Sequence, residues 1–191
     1  MRSKFKTIIL ATSFFYSLSV TALSQSALAC DNTNSANSIN QDFIINDRTI
    51  THKISKLEFK RCLEGQTLSK NNCKGKAKSM SWLEAEAQAN THSFNAKEDW
   101  RLPKIEELQI LLKLSCNKST IDKTLFPSLT TEQIWSASPG APVNDHSVVL
   151  NVSDGEIYGV GRGVKREILL VRGKPSREWL EQEPPSDWVS R

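Results

Sequence analysis

The chain has 191 residues, 38% of them hydrophobic and 24% charged, with a formal net charge of +4 at pH 7. Residues 1–29 hold three of the 25 Lys and Arg and none of the 21 Asp and Glu, so the remaining 162 residues stand at 22 against 21, a net charge of +1. That balance excludes a nucleic-acid binder driven by bulk charge, and the length suits one domain with a real core.

Residues 1–29 read as a signal peptide. Arg2, Lys4 and Lys6 form a basic start, Thr7 to Leu23 is an apolar run interrupted by Ser and Thr, and Ala27-Leu28-Ala29 supplies a small-x-small cleavage pattern. A membrane anchor needs about 20 consecutive apolar residues. This run falls short, and no later segment reaches that length, so the expectation is an exported protein of the periplasm, cell surface or medium. Residues 30–41 are rich in Asn and Ser and read as a flexible arm.

Four cysteines follow the leader: Cys30, Cys62, Cys73 and Cys116. In an oxidising compartment an even number points to disulfides. Cys62 and Cys73 flank a polar, hairpin-like loop and are expected to pair, which leaves Cys30 with Cys116 by elimination. Cys30 has a second fate as a lipid-bearing first residue, although Ala27-Leu28 matches a lipoprotein signal poorly.

Phe43 to Ile50, broken at Asn46-Asp47, predicts a hairpin. Lys56 to Arg61 alternates Leu57 and Phe59 with charges and predicts a half-buried strand. Ser81 and Glu84 form a capping box that starts a helix with Trp82, Ala85 and Ala89 on one face. A second helix after Pro103 places Ile105, Leu108, Leu111, Leu112 and Leu114 on its apolar face and Glu106, Glu107, Gln109 and Lys113 on its polar face. From Gln133 the pattern turns to strands at Ile134-Trp135, Ser147–Val152, Glu156–Val160 and Arg166–Arg172. Asp154-Gly155 marks a tight turn with positive φ expected at both positions. Helices followed by an antiparallel sheet predict an α+β domain, two helices packed on a small sheet and stabilised by disulfide.

The residues that carry chemistry are few. His52, His92 and His146 are isolated and read as surface residues. No HExxH, CxxC or GxSxG spacing occurs, so no enzyme, metal site or cofactor is expected. Asn144, Asp145, Asn151 and Asp154 are oxygen donors of the type calcium takes, yet read as turn residues. Lys70, Lys74, Lys76 and Lys78 form a basic cluster, and Arg162, Lys165 and Arg166 a second; were they to converge, they would suit a polyanion. Trp82, Trp100 and Trp135 suit a core, with Trp135 kept as a candidate for stacking on a sugar ring. Arg101 reads as a structural ion-pair or backbone partner. Residues 174–191 form a polar tail in which Trp179 and Trp188 either dock on the domain or meet an envelope protein.

Ordered islands link this chain to a family. Trp100-Arg101-Leu102-Pro103 with Glu107-Leu108 resembles the WRLPTxxEL signature of the Lcl C-terminal domain family of bacterial secreted proteins. Arg61-Cys62, Gly65-Gln66, Cys73, Gly75 and Trp82 are similar to its upstream block. Phe126-Pro127, Trp135 to Pro139, Ser153-Asp154-Gly155 and Leu170 to Gly173 follow in the family's order. The resemblance covers residues 42–173; Lys104 stands where the family has Thr, with loss of a helix cap, and Glu58-Phe59 where it has an apolar residue and Trp. It implies a C-type-lectin-like fold related to formylglycine-generating enzymes, whose cysteine pair this chain lacks after Cys116. One named member is an adhesin for sulfated glycans. The expected function is therefore a non-enzymatic module binding glycans or sulfated polymers, with a structural subunit of an envelope or appendage complex as the alternative.

Overall fold

The structure, a computed structural model, describes residues 42–112, 121, 123–129, 133–140 and 145–181. The leader, the arm, the Cys30–Cys116 pairing, Lys113, Leu114, Asn144 and Trp188 lie outside them.

The chain opens with β1 (Phe43–Asn46) and β2 (Thr49–His52), an antiparallel hairpin turned at Asp47, whose φ is 50°. Next come β3 (Glu58–Lys60) and a two-stranded hairpin of β4 (Thr67–Ser69) and β5 (Asn72–Lys74). Helix α1 (Trp82–Asn90), β6 (Trp100–Arg101) and helix α2 (Ile105–Leu112) follow. The remainder comprises β7 (Gln133–Pro139), β8 (His146–Asn151), β9 (Ile157–Gly161), β10 (Val171–Arg172) and a one-turn helix α3 (Arg177–Leu180). The strands make three antiparallel sheets, ordered β1-β2-β3-β10-β6, β4-β5 and β7-β8-β9.

This corrects the expected α+β, C-type-lectin-like arrangement of two helices on one small sheet. The described residues form ten strands and three short helices, a mostly β molecule. Many of its strands are two to four residues long, too short to print an alternation on the sequence. Among the described residues no helix is long and apolar enough to cross a membrane.

Two packed clusters form the core. One holds Phe43, Ile50, Phe59, Leu108, Leu111, Phe126 and Leu150; the other holds Trp82, Ala85, Ala89, Trp100, Leu102 and Trp135. The run Ile168–Val171 is buried throughout and divides them, Leu169 and Val171 facing the first while Ile168 and Leu170 face the second. A continuous apolar run covered on both sides is what such a position requires.

The helix starts follow local rules. Ser81 accepts from the Glu84 amide while the Glu84 carboxylate takes the Ser81 amide, completing the capping box. In α2 the expected polar face is interrupted: Glu107 is 1% exposed. Both its oxygens receive Arg101 at 2.7 Å, and one also takes the Lys104 amide at 2.8 Å. Glu107 thus supplies the returning half of a capping box, while Lys104 offers no side-chain acceptor for the other half. Of the Asp154-Gly155 pair only Gly155 has positive φ, 74°; Asp154 instead closes the turn by accepting from the Glu156 amide.

Candidate functional site

The site is built from the segment between Arg61 and Met80. Cys62 is buried and bonded to Cys73, so the β4–β5 hairpin is tied through the middle of β5. Lys70 and Asn71 turn that hairpin with φ of 49° and 63°, a pair of positive values that matches the right-handed strand twist. The chain then leaves through Gly75 (φ 96°) and passes over Gly65 (φ 88°). A Cβ at Gly65 would stand 2.7 Å from Lys78 Cγ and 2.8 Å from the Lys76 carbonyl oxygen. Glycine is therefore required there by both conformation and space. Lys78 N donates to the Glu64 carbonyl at 2.9 Å, and Met80 exchanges two backbone hydrogen bonds with Arg166.

This route lays the lysines along an open cleft of about 850 Å³ between residues 76–80 and one face of α1. Lys76, Lys78 and Lys165 line it, with Met80 and Ala87 apolar between them and Glu84 the one acid in its wall. The two basic clusters seen in the sequence thus converge, but not all of their members do. Lys70 and Lys74 are exposed and outside the lining. Arg162 stacks on the Trp82 ring at 4.3 Å and donates to Ser147, and Arg166 donates to Gln133 and to the Lys165 carbonyl. Trp135 is fully buried, its indole N–H on the Met80 carbonyl. It therefore presents no face to a sugar, and its expected stacking role gives way to the core.

Below the cleft lies a charged cluster that the sequence did not announce. Lys60 Nζ is 2.9 Å from Glu64 Oε2 and 3.2 Å from His92 Nε2, and His92 Nδ1 is 3.6 Å from the same carboxylate oxygen. The Lys60 ammonium also sits 4.7 Å from the Phe94 ring centroid. Burial, then the nearby Lys60, lowers the His92 pKa, Glu64 opposes them, and Lys78 adds a further lowering. His92 is half-buried, and His52 is buried, its ring nitrogen 2.9 Å from the Ser55 hydroxyl. Both histidines correct the surface expectation. A Lys-x-x-x-Glu spacing hinted at the ion pair, but nothing local joins His92 to residues more than twenty-five positions earlier.

The remaining candidates serve structure. Asn151 and Asp154 bond each other and their own turn, and His146 pairs with Asp145 at 2.6 Å. Among the described residues no group of three or more His, Cys, Asp or Glu is arranged to hold a metal ion. Trp179 packs against the larger core, so the tail is docked at least to that point. A second, smaller cavity of about 340 Å³ lies on the opposite flank of α1, with the Arg101–Glu107 pair in its lining.

The profile of the Lcl C-terminal domain matches residues 48–172 of this chain. No curated protein matches the sequence.

Proposed function

The chain belongs to the Lcl C-terminal domain family, and from that premise we propose that it is an exported, non-enzymatic binding module for sulfated or otherwise anionic glycans at the cell envelope. The observation that carries the reading is the meeting of Lys76, Lys78 and Lys165 in one cleft, although Lys165 comes from a segment almost ninety residues later. Lysines of separate segments aimed into one depression raise the local concentration of a polyanion well beyond what a net charge near zero would. The apolar floor between them suits the carbon face of a sugar, while Gln88 and Thr91 offer hydrogen-bonding groups for hydroxyls. The leader-like residues 1–29 and the Cys62–Cys73 disulfide support export.

The test is binding of the purified protein to a sulfated polysaccharide at low and high salt, with and without EDTA. We expect binding that weakens steeply with ionic strength, ignores EDTA, and is lost in a Lys76→Ala/Lys78→Ala/Lys165→Ala variant of unchanged thermal midpoint. No binding above background at low salt, or full binding by the triple variant, would sink the reading.

A further inference from the structure

The cleft has a direction. Glu84, Ala87, Gln88 and Thr91 line it, and their spacing of three, four and seven residues makes them one longitudinal stripe of α1 and its C-cap residue, Thr91. Seven residues of helix rise about 10 Å. Of the three lining lysines, Lys165 and Lys78 stand toward opposite ends of that stripe. Lys165 lies at the N-terminal end, near enough to Glu84 to act on its charge, where Trp82 and Met80 amides donate to the Arg162 and Arg166 carbonyls. Lys78 lies at the C-terminal end, where it acts on His92, and its amide is held by Glu64 beside the same histidine.

We infer that the cleft is built for a linear polyanion lying along α1 and held by cations at both ends, rather than for a single anionic group; the inference rests on the glycan reading above. An isolated sulfate can use only one end. A chain that bridges both makes its second contact intramolecularly, at a high effective concentration. Glu84 sharpens the argument because its carboxylate accepts from the Ser81 amide at 2.8 Å, which favours a position in the wall. There it opposes the ligand at the Lys165 end.

The experiment compares a singly sulfated monosaccharide, short sulfated oligosaccharides of increasing length and the polymer, all at one low salt concentration. We expect a step in affinity of roughly tenfold or more once the ligand spans the stripe. Lys165→Ala and Lys78→Ala should each remove that step while leaving monosaccharide binding little changed. Glu84→Gln keeps a residue that can complete the capping box, and should tighten the oligosaccharide several-fold, an effect that a merely structural role would not produce. A monosaccharide as tight as the oligosaccharides, or an oligosaccharide indifferent to Lys165→Ala and Glu84→Gln, would overturn the inference and leave the glycan reading standing. Failure of every ligand, polymer included, would overturn both.

Discussion

Arg101 spans a strand, a helix and a turn with one side chain: its two terminal nitrogens grip Glu107, and they also reach the carbonyls of Leu102 and Gly173. The carboxylate is buried, whereas the Arg101 side chain keeps 33% of its exposure. Removing the cation strands a charge that cannot reach water, and breaking such pairs costs several kcal/mol. Arg101→Ala should therefore destabilise by about 3 kcal/mol, the lower end because of that exposure, as read from urea denaturation; a cost near zero would mean that Glu107 had found water. A helix wheel places Glu107 on the wet face because it counts residue types without their partners. His92 offers a second test at this scale. Its pKa is lowered in the fold by burial and by Lys60 and Lys78, with Glu64 opposing, and the Phe94 and Trp100 rings lie against it. The folded state thus favours the neutral ring. Stability is complete above the unfolded value of about 6.5 and is lost as pH falls below it toward the lower folded value. Thermal midpoints from pH 8 to 5 should fall in the wild type and fall less in His92→Gln; equal slopes would remove His92 as the cause.

The β4–β5 hairpin is an element with little of its own to bury. Thr67, Ser69 and Asn72 are exposed, and Leu68 and Cys73 are only half-buried. Two-stranded hairpins of this kind are marginal in water, so the tie from Cys73 to buried Cys62 carries the order of the segment that leads to Lys76 and Lys78. The loop it closes spans a sequence separation of 11, for which chain entropy gives about 3 kcal/mol. A Cys62→Ala/Cys73→Ala variant should lose about that much stability and weaken polyanion binding as well. Full affinity in a destabilised variant would mean that Gly65 and the Lys78–Glu64 hydrogen bond position the lysines unaided. The elements that were legible share a trait. The capping box of α1 and the break at Asn46-Asp47 are local patterns whose physics completes within a few residues, whereas the half-buried alternation expected about Phe59 fails because Lys60 and Arg61 are buried too. The lost symmetry of the Asp154-Gly155 turn belongs here too: one asparagine and one aspartate side chain close it, so only the glycine needs an unusual φ.

At the scale of the whole molecule the charge beyond residue 29 is nearly balanced, 22 against 21, and what matters is where lysines meet. Residues 76–78 and 165 belong to segments that reach each other because Met80 pairs with Arg166 and because Ile168–Val171 threads between both cores. The sequence by itself determined the helix starts, the Cys62–Cys73 partnership, the apolar identity of the core and the family, since these depend on neighbours in the chain or on ordered motifs. Tertiary structure alone decided that the domain is mostly β, that Trp135 is core and not platform, that Glu107 and His52 are buried and His92 half-buried, and that only some of the basic residues share a cleft. Each of those outcomes depends on which distant segment lies opposite. Such pairings come from the combined burial of many side chains, a quantity that no short window of sequence contains.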